Sequence, residues 1–448
     1  MVVTRVHTTP PSTPELGSIG RLLQLDDPVA TRLLDQGDGE PVWFERDAWR
    51  ILAPPATGHG GGGSELASFS RRDGGTAALR YEVTSGKVLA PFDIDAAYDS
   101  YVFERWTGET RNRRLSPRQL DAFYRLKPSI PRALQLEARR LLIRWQGVPR
   151  FPEWPLDLSV ARLVRFHAFC VLLAQRRAEA SFRWFWPEGF RSAVVLTHDV
   201  ESDEGLKNVT ALADLEEELG FRSSFNLGAW YRVDPGLLRE LTTRGFEVGV
   251  HGLRHDRSLF ASRESFEAQQ EGLRELIVRL GARGFRSPAT HRVVEWLGEL
   301  PVDYDCSVPH SDPFEPQPGG CCSLWPFFIG TVVELPYTLP QDHSLFTLLR
   351  HTTPQLWIDQ ARRIESEYGL IQCVTHPDPG YIGTPRNRGS YVEFLRAIAD
   401  RPRVWRALPS EVAAWWRDRD SHIGEARPGT VRIGENPDEV AFDPPADR

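Results

Sequence analysis

The chain is expected to fold as an α/β protein whose second half is a distorted (β/α) barrel, preceded by a mixed, largely helical N-terminal region. Three observations lead there. From about Trp184 onward, short apolar runs alternate with amphipathic helical stretches, the signature of parallel strands joined by helical crossovers. At 448 residues the chain exceeds one typical core, so a second region is expected ahead of the barrel. Residues able to bind a metal or move a proton fall just after the expected strands, where barrels of parallel strands place their chemistry.

Four segments follow from composition and periodicity. Residues 1–16 are rich in Pro, Thr and Ser and read as disordered. Residues 17–183 form the accessory region, interrupted by a glycine-rich flexible loop at Gly58–Ser64. Within it, Ser116-Pro117-Arg118-Gln119-Leu120 reads as an N-cap followed by proline at the first helical position. Ile130-Pro131 opens a second helical run through Leu141-Leu142-Ile143, and Leu158–Leu173 carries apolar residues at helical spacing. The barrel is expected over 184–422. Residues 423–448 mix Gly, Pro and acids without periodicity and read as a disordered tail.

Inside the barrel region the expected strands are Ala193–Leu196, Phe221–Asn226, Phe246–Val250, Val332–Leu335 and Leu370–Val374. The intervening helices are Asn208–Leu219, Pro235–Thr243, Glu264–Leu280 and Pro354–Tyr368. A long connection, Ser307–Thr331, contains Pro309, Phe314, Pro316, Pro318 and Trp325-Pro326-Phe327-Phe328. Such connections often serve as lids or substrate walls, and its aromatics either stack on a sugar or pin the loop.

Bulk properties exclude several classes. With 54 basic and 61 acidic side chains the net charge is -7, which argues against general affinity for nucleic acid or anionic membrane. No apolar run approaches the ~20 residues needed to cross a bilayer. The five cysteines form no C-x-x-C pair and read as free thiols of a reducing compartment. The first residues lack the apolar core of a secretory leader, so a cytoplasmic location is expected.

The chemistry lies in four constellations. Thr197-His198-Asp199-Val200-Glu201 offers two carboxylates which, if the chain stays extended, share one face. One can ligate a metal while the other takes a proton from water. Asp203 and Glu204 just beyond suit a helix N-terminus instead. His251 and His255 are four apart, so a helical turn would project both rings on one side, and a carboxylate would complete a three-ligand site. Arg286 follows Gly284-Phe285 and can hold Asp199 through two parallel hydrogen bonds. Pro288 stiffens the next turn and leaves the Ala289 N–H to face an oxyanion. His376, after the last strand, can protonate a departing nitrogen, with Asp342 as a candidate to orient its ring.

Taken in order, these residues resemble the NodB-like polysaccharide deacetylase family. Phe221-Arg222-Ser223-Ser224-Phe225-Asn226 and Gly245–His251 match its usual approach to the histidine pair, and the likeness covers about residues 190–415. The resemblance implies a (β/α) barrel with fewer than eight regular strands, a divalent metal (usually zinc), and hydrolysis of an N- or O-acetyl group. It makes Asp199 the base, His251 and His255 ligands, Arg286 the residue orienting the base, and His376 the general acid. The family's commoner adjacent aspartate is Val200 here, and Glu201 takes the place of the second acid in an Asp-x-Asp variant. Residues 80–180 show further family-like fragments, notably Pro91-Phe92-Asp93-Ile94-Asp95.

The leading expectation is a metal-dependent hydrolase that removes acetyl from an N-acetylated sugar or saccharide precursor. Two alternatives are a hydrolase of a small non-sugar amide or cyclic ureide on the same barrel, and a catalytically silent saccharide-binding protein. Retention of Asp199, Arg286 and His376 weighs against the last, because a binding module needs neither base nor acid.

Overall fold

A computed structural model describes residues 18–25, 37, 39–57, 62–108, 131–421 and 427–446. The expectations for residues 1–16, Gly58–Gly61 and the helix start at Ser116 fall outside these residues. The chain divides into two compact units, one drawn from residues 1–99, 162–183 and 428–443, the other from 100–161, 184–427 and 444–448.

The first unit departs from the helical expectation. Strands β1 (Val42–Arg46), β2 (Trp49–Ala53), β3 (Ser64–Arg71), β4 (Thr76–Glu82) and β5 (Lys87–Leu89) form an antiparallel sheet in the order β2-β1-β3-β4-β5. Their residues alternate between buried and exposed, as a half-covered sheet requires. Trp49, Phe69 and Phe92 meet Phe166 of the helix Ser159–Ala174, with Phe92 stacked on Phe166 at 5.6 Å and Phe44 packed against Phe92. This apolar cluster fixes the helix against the sheet. A sixth strand, β6 (Glu179–Arg183), ends the run.

The second unit carries the expected alternation. Its strands are β7 (Ser192–Asp199), β8 (Ser224–Leu227), β9 (Glu247–Val250), β10 (Gly284–Phe285), β11 (Tyr304–Asp305), β12 (Phe327–Ile329), β13 (Val332–Glu334), β14 (Leu370–Thr375) and β15 (Val404–Arg406). They form one nine-stranded sheet in the order β12-β13-β11-β10-β9-β8-β7-β14, with β15 also on β7. Every pairing is parallel except β12 with β13. β7, β8, β9 and β14 are buried throughout, as strands covered on both faces must be. After β13 the chain returns to β14, where the backbone N–H groups of Thr338 and Leu339 donate to the Gln372 carbonyl.

Helices Asp203–Glu218, Pro235–Thr243, Arg263–Leu280 and Gln355–Ser366 lie between the strands; the last three keep close to the expected bounds, while the first starts at Asp203 rather than Asn208. Ser202, Asp234 and Ser262 cap three of them by accepting a backbone N–H. Asp203 and Glu204 sit in the first turn of their helix, as its dipole favours.

The Ser307–Thr331 connection holds a strand, β12, and is pinned rather than open. Phe314 packs on Trp154 at 4.9 Å and Trp325 stacks on Phe185 at 5.1 Å, so these aromatics serve the loop's own packing. The expected tail is also corrected. From Pro428 the chain rejoins the first unit as β16 (Pro428–Ile433) and β17 (Val440–Asp443), in a three-stranded sheet ordered β17-β16-β6. Alternate burial of Val431, Val440 and Phe442 holds these strands, a period too short to register beside the Gly and Pro residues around them.

Candidate metal centre

Parallel register assembles the site. Asp199 ends β7 and pairs with Asn226 of β8, whose Nδ2 donates to Asp199 Oδ1 at 2.7 Å. Gly249 on β9 makes this possible: a Cβ there would lie 2.1 Å from Asn226 Oδ1. His251 follows β9, Arg286 follows β10 and His376 follows β14, so with β7 and β8 five adjacent strands deliver their side chains to one end of the sheet. Strand alternation turns His198 to the opposite side, where its ring meets Thr375 Oγ1 at 2.7 Å and Glu216 Oε1 at 2.8 Å.

Glu201, His251 and His255 converge, each offering a ligand atom within 4.8 Å of the others. His255 Nε2 lies 2.9 Å from Glu201 Oε1. The histidine pair is not carried on a helical turn. Gly252 takes φ 91, a left-handed value suited to glycine, and the chain loops from one imidazole to the next. Trp230, after β8, flanks both rings at 6.0 and 5.6 Å.

The donor set fits a divalent cation. His251 Nδ1 donates to the Arg286 carbonyl at 3.0 Å, which leaves the Nε2 lone pair facing the other two donors. That buried Nε2 has no hydrogen-bond partner in the protein. Two imidazoles and one carboxylate suit zinc among common metals and leave positions open for water and substrate. Burial pushes the His251 imidazole down to about 4 against the attraction of Asp199 and Glu201, so it stays neutral. Burial acts oppositely on Glu201, yet its hydrogen bond to His255 and the nearby His376 hold its carboxyl far below the usual range.

Two candidate proton-transfer groups border this set. Burial would raise the Asp199 carboxyl, but His251, Arg286, His376 and the Asn226 bond together keep it below its ordinary value. His376 Nδ1 donates to Asp342 Oδ1 at 2.7 Å, while Asp342 Oδ2 accepts the His376 and Ile382 backbone N–H groups. Its Nε2 then faces Glu201 Oε1 at 3.7 Å. Although burial disfavours the imidazolium, Asp342, Glu201 and Asp199 raise it to about 10. Asp342 thus stands where the sequence reading placed it.

Arg286 requires a correction. It is fully buried, but its Nη2 donates to Thr197 Oγ1 at 3.1 Å and its guanidinium lies over the Tyr337 ring at 5.5 Å. It makes no hydrogen bond to Asp199. Arg286 therefore reaches the Asp199 carboxylate by charge, and Asn226 makes the side-chain hydrogen bond to it.

Sequence reasoning missed three contributors besides Asn226. Asp378 Oδ2 accepts the Glu201 backbone N–H at 3.0 Å and Oδ1 accepts the Ser202 hydroxyl, which latches the β7 loop to the β14 loop. Tyr381 packs on the His376 ring at 4.8 Å, and Glu315 Oε1 lies 3.3 Å from His343 Nδ1. Asn226 alone carried a local signal, its place at the end of an expected strand beside that of Asp199.

No protein-family model matches the sequence, and a comparison with curated proteins finds no match. Among solved structures the chain is similar to a Mycobacterium smegmatis protein assigned as a polysaccharide deacetylase, at 19% identity and TM-score 0.43, over 54% of this chain and 95% of that one. It is similar to the PuuE allantoinase at 16% identity and TM-score 0.42, over 54% and 94%. A family 4 carbohydrate esterase from Streptomyces lividans, in complex with acetate, matches at 12% identity and TM-score 0.32, over 48% and 92%. Among the described residues no helix is long and apolar enough to cross a membrane.

Proposed function

We propose that the chain is a metal-dependent hydrolase of the NodB-like polysaccharide deacetylase type, removing an acetyl group from an N-acetylated sugar or saccharide precursor. The observation that carries this reading is the convergence of Glu201, His251 and His255 around the unpartnered Nε2 of His251. The hydrogen bonds that the segment after β13 makes to β14 support the barrel of that family.

A divalent ion held by these three side chains, zinc by donor preference, would supply a Lewis acid that acidifies water towards a pKa of ~7 and polarises the acyl carbonyl. Asp199 takes the water's proton at Oδ2, because Asn226 occupies Oδ1. Arg286 holds Asp199 ionised through its buried charge. His376 keeps a proton on Nε2, its Nδ1 being committed to Asp342, and delivers it to the departing amine.

Release of acetate from N-acetylated saccharides tests this reading. Asp199→Asn and His255→Ala are each expected to abolish release while the circular dichroism spectrum stays unchanged. Near-normal turnover in either variant would refute the roles. Turnover of a small amide that survives exhaustive chelation would replace the metal-dependent reading with the small-amide one.

A further inference from the structure

The Ser307–Thr331 connection carries a buried charge that its packing does not use. Glu315 is 7% exposed. It stands in a loop closed by Asp312 and Gly319, which exchange both backbone hydrogen bonds at 2.8 and 3.1 Å. Phe314 on Trp154 holds one side of Glu315, and Gln317 holds the other through two bonds to the Arg292 backbone. A wall residue fixed in this way is preorganised for a ligand.

Glu315 Oε1 accepts from His343 Nδ1 at 3.3 Å. Burial would raise its carboxyl, but the His343 bond and the charges of His343, Arg139 and His376 hold it below its ordinary value, so it is ionised. His343 opens a π-helical turn, His343–Leu348, directly after Asp342. Consecutive residues therefore serve two carboxylate–imidazole pairs, Asp342 with His376 and Glu315 with His343. The Tyr381 ring contacts both imidazoles, at 4.8 Å from His376 and 5.8 Å from His343. The charge of Glu315 also reaches His291, as does that of His255. The second pair thus borders the site beside the candidate acid, where the amine half of a substrate would lie.

Hydrogen-bonding capacity identifies the ligand. Among the described residues, Glu315 Oε2 and His343 Nε2 have no hydrogen-bond partner. The carboxylate oxygen needs a donor, while the imidazole nitrogen donates or accepts according to its protonation. Neighbouring hydroxyls satisfy both atoms in either case, because a hydroxyl does both. A phosphate or carboxylate placed there would be repelled by the Glu315 charge.

We propose that Glu315 and His343 form a subsite for hydroxyls on the amine half of the substrate, which makes the substrate class an uncharged N-acetylated saccharide. The inference rests on the hydrolase reading and narrows it. Its test follows acetate release by the zinc-loaded full chain from di-N-acetylchitobiose and from 4-nitrophenyl acetate, whose leaving group carries no hydroxyl. Glu315→Gln, which keeps the side-chain volume, and His343→Phe should each raise KM for the disaccharide by about tenfold or more. The change with 4-nitrophenyl acetate should be much smaller. Zinc titration by calorimetry reads whether the metal centre survives. An unchanged disaccharide KM in the folded variants, an equal rise with both substrates, or a matching loss of zinc affinity overturns the proposal and leaves the hydrolase reading standing. So does faster release from N-acetylglucosamine 6-phosphate than from N-acetylglucosamine. Absence of release from every saccharide overturns both.

Discussion

Gly249→Ala perturbs the candidate base without touching any residue that faces substrate. The added Cβ would lie 2.1 Å from Asn226 Oδ1 and 3.2 Å from its Cγ, well inside contact. Asn226 is buried between β7 and β9 and has little room to retreat, so its amide must swing off Asp199. The 2.7 Å bond that is lost goes to an ionised group. Such bonds are worth about 1.5–3 kcal/mol, or about 10- to 100-fold in kcat/KM. Overpacking should cost about 1–3 kcal/mol of stability as well. Acetate-release kinetics and urea unfolding measure the two effects separately. A double-mutant cycle sharpens the test, because Asn226→Ala removes the same bond and opens space for the new methyl. Gly249→Ala should then cost no further activity on the Asn226→Ala background. Additive losses, or a wild-type rate for Gly249→Ala alone, would refute the link from Gly249 through Asn226 to Asp199.

Three further outcomes are expected. Zinc at a hundred times its Kd should stabilise the protein by about 2.7 kcal/mol, and His251→Ala should lose that stabilisation in thermal unfolding; an equal shift in the variant would remove His251 from the ligand set. His167 is buried with neither ring nitrogen hydrogen-bonded, and burial lowers its imidazole to about 4. The unfolded chain takes up this proton below about 6.5, so stability is full above that pH and falls by up to about 3 kcal/mol as pH drops to 4. His167→Leu should flatten this part of the urea-midpoint profile against pH, and an unchanged slope would contradict the assignment. Glu104 binds buried Arg292 through two hydrogen bonds, at 2.5 and 2.8 Å. Glu104→Gln should cost about 3–5 kcal/mol in urea unfolding, the usual penalty for a buried charge deprived of its partner.

The second unit was largely legible because its strands are buried on both faces and its helices are amphipathic, so each element announces itself within its own residues. The helix Pro235–Thr243 matches its expected bounds, and Ser202, Asp234 and Ser262 lie where caps belong. The first unit was not legible in this way. Its strands are short and half-exposed, and the chain completes the unit with residues from 162–183 and 428–443. No local period reports that kind of return.

At the site, the residue types and their order stood in the sequence. Glu201, His251 and His255 could be named as partners from the kinds of atom they carry, and Asp342 as the neighbour of His376 from its charge. Which atom meets which was settled by register. Parallel pairing of β7 with β8 sets Asn226, not Arg286, against the Asp199 oxygen, and a missing Cβ at Gly249 makes the room. Chemical identity is a property of each residue and can be read along the chain. Proximity between residues 27 to 177 apart in the chain is a property of the folded sheet, and only packing creates it.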